Sequence, residues 1–157
     1  MGKNYIDQIC RNAFTLIELL IVILIISTLA SISAPMYFKI IERFRVVEAT
    51  TNMMEIKKGQ ERVILKKSVY TDNFRDFDFE IKDINGKNCD GKICELKYFV
   101  LQIQLIEHDK YMILAQRKSN DKTRPPQAYS PNYIYFYDSR ANNFGCTDAN
   151  CARDFLD

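Results

Sequence analysis

From Leu19 to Phe38 the chain runs for 20 residues without a charged side chain. As a helix, such a run is ~30 Å long, about the hydrocarbon thickness of a bilayer. A helix that is apolar all round needs cover on every side, and a chain of 157 residues cannot supply it from a single small domain. The run therefore reads as a helix that crosses a membrane. The remaining length suffices for one domain of ordinary size. A secretory signal peptide explains the segment less well. The small residues Ser31, Ser33 and Ala34 follow an apolar run, but Pro35 lies just after the possible cleavage points, the run is long, and Glu18 interrupts its start.

Lys3 and Arg11 precede the run, with Asp7 the only acid among residues 1–13. That bias places the short N-terminal end in the cytoplasm and everything from about Lys39 onward outside. The five cysteines divide accordingly, with Cys10 before the segment and Cys89, Cys94, Cys146 and Cys151 after it. The last four share the outer compartment, where thiols oxidise, so disulfides are the favoured reading. Both pairs have the form C-x4-C, and four cysteines allow three pairings, among which the sequence does not choose. A tetrahedral zinc site is the alternative use of two such pairs.

Glu18 is the informative residue of the segment. A carboxylate in a membrane span costs a few kcal/mol and normally has a partner or a function. The nearest cations in sequence are Arg11 and Lys39, neither within reach on one helix. Without other information Glu18 would be placed at the interface, favoured by the positive end of the helix dipole. A cut just before Phe14 would change this, because it creates an α-amino group four residues from Glu18.

Phe14-Thr15-Leu16-Ile17-Glu18-Leu19-Leu20-Ile21-Val22-Ile23 resembles the N-terminus of type IV pilins and of the type II secretion and competence pseudopilins. The resemblance implies that a prepilin peptidase cuts between Ala13 and Phe14 and that Phe14 is then N-methylated. It further implies that Glu18 sets subunit register by neutralising a neighbour's terminal amine in a filament. Ala13 stands where the family usually has Gly, and Ser27 where many pilins have a helix-loosening Gly. Pro35 and Tyr37 match common family positions, and a kink or melted stretch is expected at Pro35 because it lacks an N–H. By the same analogy, a disulfide near the C-terminus supports Cys146–Cys151.

The domain plan that follows is a leader at 1–13, a transmembrane and fibre-core helix at 14–38, and a periplasmic or extracellular head at 39–157. The resemblance implies an α+β pilin fold, in which a long N-terminal helix packs on a small antiparallel sheet. It implies self-association with other pilins, a prepilin peptidase, an assembly machinery with a separate ATPase, and residence in the inner membrane before assembly. The function so implied is that of a pilus subunit for adhesion, motility or DNA uptake. A pseudopilin is the near alternative, and an uncleaved single-pass binding protein the alternative from another class. No cofactor or metal is implied.

The rest of the chain reads as helix, then strands. Ile40, Phe44, Val47, Thr51 and Met54 recur at alternating four- and three-residue steps, which predicts that this stripe packs under the head. The helix is expected to reach Lys67, with Gly59 a point where it could end earlier. Phe77, Phe79 and Ile81 alternate with polar residues as a strand would. Further strands are predicted within Leu96–Ile106, Tyr111–Ala115 and Tyr133–Tyr137, the first two joined by the turn His108-Asp109-Lys110. Asn85-Gly86 and Asp90-Gly91 signal turns, and Arg124-Pro125-Pro126 a loop.

Net charge is +2 with both signs scattered, which gives no reason to expect nucleic acid beyond what a DNA-uptake filament would touch. Lys118, Lys122 and Arg124 are read as a solvated loop. The turn Asp83-Ile84-Asn85-Gly86-Lys87-Asn88 is faintly calcium-like, but its glycine is misplaced for an EF-hand. The aromatic stretch Tyr129–Tyr137 could form an adhesive face, although core packing is the better reading at strand spacing. His108 is the single histidine, and no paired carboxylates, nucleophile–base set or phosphate loop appears, so an enzyme is not expected.

Overall fold

The computed structural model describes residues 14–107, 109–120 and 124–156. The leader with Ala13 and Cys10, and also His108 and Lys122, lie outside the described residues. The chain divides into two units, Met1–Tyr37 and Phe38–Asp157, and helix α1 (Leu16–Lys67) contributes to both. Among the described residues, α1 is the one helix long and apolar enough to cross a membrane.

The first unit is helix from Leu16 onward in its described part, and its side chains from Leu16 to Tyr37 are exposed. The four serine and threonine hydroxyls of this stretch donate back to carbonyls of their own helix. Ser27, Thr28, Ser31 and Ser33 bond Leu24, Ile25, Thr28 and Leu29 at 2.8–2.9 Å. Polar groups satisfied in this way place little demand on an apolar surrounding. The helix is assigned without interruption through Pro35.

In the second unit, α1 packs on a five-stranded antiparallel meander: β1 (Ile93–Glu95), β2 (Phe99–Glu107), β3 (Lys110–Arg117), β4 (Ile134–Asp138) and β5 (Asn143–Cys146). A short helix, α2 (Ala149–Phe155), follows. The α+β architecture and the β2–β3 hairpin agree with the sequence reading. The core brings Val46, Ala49, Met53 and Ile56 of α1 against Phe99, Leu101, Ile103, Ile113 and Ala115 of the sheet. Tyr129, Tyr133, Tyr135 and Tyr137 are all buried here, so the aromatic stretch is core and not an outward face.

The face of α1 that packs is not the predicted one. Ile40, Phe44, Val47, Thr51 and Met54 are exposed, whereas Glu42, Val46, Ala49, Met53, Ile56, Gly59, Gln60 and Val63 are buried. At ~100° per residue the two stripes lie on roughly opposite sides of the helix. The buried stripe contains Glu42, Gly59 and Gln60, which an apolar count rejects, so periodicity selected the other face. Gly59 does not end the helix. A Cβ there would lie 2.5 Å from the Phe79 ring and 2.7 Å from that of Phe77, so glycine lets these rings seat against α1. Gln60 is also buried and holds the Thr71 backbone through both ends of its amide, donating to the carbonyl and accepting from the N–H.

The predicted strand at Phe77–Ile81 is absent as a strand. Its alternation does mark burial, with Ile81 buried and Asp78, Glu80 and Lys82 exposed. No ladder forms beyond the single bridge Lys82↔Asn88. A short 3₁₀ turn, Phe74–Asp76, begins this segment, which lies against α1 through its rings and through the bidentate Arg62–Asp78 pair at 2.6–2.9 Å. At the tip, Gly86 has φ of 77° and the Asp83 carboxylate accepts the N–H groups of Asn85 and Lys87 at 2.8 Å. That carboxylate is committed to its own turn, and no group of metal-binding side chains occurs among the described residues.

Candidate processing and assembly site

The start of α1 is built by a reciprocal cap. Thr15 stands immediately before the first helical residue, and its Oγ1 accepts the Glu18 N–H at 3.3 Å. In return Glu18 Oε2 accepts from the Thr15 N–H and from Thr15 Oγ1, both at 2.8 Å. This is a capping box of the T-x-x-E form, which satisfies two orphan donors and fixes where the helix begins. Among the described residues Glu18 forms no salt bridge. Phe14, 72% exposed, lies just outside the helix on the N-terminal side. The carboxylate thus lies at a helix N-terminus beside the exposed Phe14, hydrogen-bonded within its own cap.

The second carboxylate of α1 is in the opposite situation. Glu42 is fully buried and meets Arg117, also fully buried, with Nε–Oε1 at 2.6 Å and Nη2–Oε2 at 3.2 Å. Tyr133 Oη donates to Oε1 at 2.8 Å and Arg45 Nη1 to Oε2 at 2.9 Å. The remaining Nη1 of Arg117 donates to the carbonyls of Tyr98 and Lys118, and its guanidinium lies 5.5 Å from the Tyr98 and Phe99 ring centres. Burial pushes the Glu42 carboxyl up, but hydrogen bonds from Arg117, Tyr133 and Arg45 outweigh it and hold the group below its ordinary value. Burial, together with the adjacent Glu42 charge, raises the Tyr133 phenol. The network joins α1 to β3 and to the segment before β4.

A related bond anchors the chain end. Asp154 of α2 accepts from Lys39 Nζ at 2.8 Å, Tyr129 Oη at 3.0 Å and Arg153 Nε at 3.1 Å. Asp148 caps α2 through the Cys151 N–H and also accepts from Ser130. Cys146 is bonded to Cys151, joining β5 to α2, and Cys89 to Cys94, joining the Asp83 turn segment to β1. All four outer cysteines are therefore used in two short local loops.

Neither network was named from sequence. Arg117 was not singled out, and Glu42 lies off the predicted apolar stripe. The one available signal was the T-x-x-E spacing at Thr15 and Glu18, which marks a helix start.

Residues 10–34 match the prokaryotic N-terminal methylation motif, the prepilin-like signal of type IV pilins and pseudopilins. No curated protein and no solved structure matches the chain. The motif ends inside the exposed apolar part of α1, so Phe14, Thr15 and Glu18 all fall within it.

Proposed function

We propose that the chain is a structural subunit of a type IV pilus, made as a membrane-anchored precursor. A prepilin peptidase removes residues 1–13 between Ala13 and Phe14, and Phe14 is methylated. Residues 14–38 hold the subunit in the inner membrane and later lie in the filament core, while 39–157 form the outer head. The observation that carries this reading is the methylation motif on a helix whose apolar surface from Leu16 to Tyr37 is uncovered. Such a surface needs lipid before assembly and other apolar helices after it. The α-amino group created at Phe14 adjoins the Thr15–Glu18 cap and supplies the cation that Glu18 lacks, most usefully from one subunit to the next. Pro35 supplies the local weakness at which the helix can bend during extraction. The energy for extraction comes from a separate assembly ATPase.

The test is the intact mass of the chain in sheared surface material and in the membrane pellet. A species beginning at methylated Phe14 and carrying two disulfides is expected in the sheared fraction. The same species confined to the pellet would mark a pseudopilin instead. A chain beginning at Met1 in both fractions would overturn the reading.

A further inference from the structure

The uncharged run ends at Phe38, where the second unit begins, and the charges that follow are unequal in sign. Lys39, Arg43 and Arg45 come next on α1, within about 11 Å of Phe38 along the helix. Glu42 is the only acid among them, and it is buried in its bond to Arg117. The fold brings further cations to the same level. Arg153 of α2 stands beside Lys39, since both donate to Asp154 Oδ1, at 3.1 and 2.8 Å. Lys97, between β1 and β2, has its Nζ 5.2 Å from the centre of the Tyr98 ring, and the Arg45 guanidinium lies 4.4 Å from the same ring.

Each carboxylate at this end serves two cations: Glu42 binds Arg45 and Arg117, and Asp154 binds Lys39 and Arg153. Arg43 and Lys97 are exposed and form no salt bridge among the described residues. The nearby Lys118–Glu95 pair cancels itself. Six cations against two carboxylates leave a surplus of four on a chain whose whole net charge is +2, so the rest of the molecule is net negative.

The place of that surplus restricts the partner. The polar layer on either side of a ~30 Å hydrocarbon core is about 5–8 Å deep. A helix leaving the core at Phe38 puts Lys39 and Arg43 in that layer, ~1.5 and ~8 Å out, and the next acid, Glu48, beyond it at ~15 Å. Anionic headgroups lie in the same layer and attract cations at the surface. Nucleic acid would meet the same charge, but it would have to approach the end of the head nearest a bilayer that is itself anionic.

We infer that the exposed cations Lys39, Arg43, Lys97 and Arg153 form a surface for anionic phospholipid headgroups in the leaflet on the head's side of the membrane. The inference rests on the membrane anchor of the proposed function, and not on cleavage or filament assembly. A subunit seated in this way waits with one end of its head on the bilayer, and leaving the membrane breaks these contacts as well as the apolar ones.

Lysine labelling by a membrane-impermeant amine reagent, read residue by residue by mass spectrometry, tests this on the full chain reconstituted in vesicles. Vesicles of phosphatidylcholine alone are compared with vesicles holding about one-third phosphatidylglycerol. Lys97 reports the surface because it reaches this level from the sheet and not along α1. Lys87, exposed on the Asp83 turn, is the control within the same molecule. Labelling of Lys97 relative to Lys87 is expected to fall several-fold with phosphatidylglycerol and to recover in about 1 M salt, where screening acts within ~3 Å. Arg43→Glu with Arg153→Glu should abolish the fall. Arg43→Glu alone, which breaks no salt bridge among the described residues, should about halve it. An equal ratio in the two vesicles, an equal fall at Lys87, or a fall that survives the salt would overturn the inference. So would protection of Lys97 by duplex DNA on phosphatidylcholine vesicles when phosphatidylglycerol gives none, which would assign the surface to nucleic acid. Chain that floats with neither vesicle would overturn the anchor and the surface together. Chain that floats with both and shows no difference at Lys97 would sink the surface alone.

Discussion

Glu18 and Glu42 lie on one helix, and the difference between them separates the two jobs of the chain. Glu42 has two arginines and a tyrosine around it, every acceptor position in use, and no exposure. Its contacts come from the sheet and from its own helix, so its charge is consumed in folding. Glu18 has one partner residue, Thr15, and no cation among the described residues. Its hydrogen bonds stay within its own helix start, and on the proposed reading its charge is left for a neighbouring subunit. A buried carboxylate of the first kind specifies one packing of helix on sheet, and an exposed one of the second kind is what the proposed assembly contact would use.

Glu18→Gln breaks the comparison most severely. The amide keeps the shape and an acceptor for the Thr15 N–H but removes the charge that, on the proposed reading, attracts the Phe14 amine. Chain in the sheared fraction should fall about tenfold or more, as a loss of 1–2 kcal/mol per subunit contact requires. The denaturation midpoint of the head should not move. Normal filament yield from this variant would show that Glu18 serves only as a helix cap.

Arg117→Met makes the opposite cut. It leaves Glu42 buried with Arg45 and Tyr133 alone, at an expected cost of about 3–5 kcal/mol to the head. Glu42→Met with Arg117→Met should recover most of that, because an apolar pair replaces the ion pair without leaving a charge behind. Guanidinium unfolding of the processed chain in detergent reads both. A double variant as unstable as the single one would mean that the network contributes more than its paired charges. Acid gives an independent check of sign. The folded-state value of Glu42 is lowered, so its contribution is complete above the ordinary carboxylate range and is lost as pH falls through that range towards the folded value. The stability lead of the native chain over the double variant, if any, should shrink on acidification below about pH 4.

The sequence disclosed the two units unequally, for a physical reason. The first is governed by local chemistry: an uncharged run, a T-x-x-E cap and a motif, all contiguous. Its helix was legible for that reason. In the head, the α+β order, the β2–β3 hairpin and β4 were legible from alternation and turn residues. The packing face of α1 was not, because the buried stripe holds the polar Glu42 and Gln60, and the partner that lets Glu42 be buried, Arg117, lies 75 residues away. Phe77–Ile81 shows the same limit in another form. Alternation reports which side chains turn inward, but whether a neighbouring strand exists is a tertiary fact. β5 and α2 escaped notice because each is short and Gly145 interrupts the pattern. That glycine lets the Phe136 ring lie across β5, where a Cβ would collide with it.

The smallest test asks whether head stability and assembly are as separate as the two glutamates imply. Helix α1 ends at Lys67, and the next residue, Ser68, takes a left-handed φ of 60° while its N–H donates to the Ile64 carbonyl at 2.9 Å. A residue with a Cβ is strained there, and glycine is the usual occupant of such a helix end. Ser68→Gly should therefore stabilise the head by about 1 kcal/mol, read as a higher guanidinium midpoint. Ser68 is exposed and follows the last residue of α1, at the far end from Glu18, so the sheared-fraction yield should stay that of the native chain. A higher midpoint accompanied by a changed filament yield would show that the head must yield during assembly. The division of labour between Glu42 and Glu18 would then be incomplete.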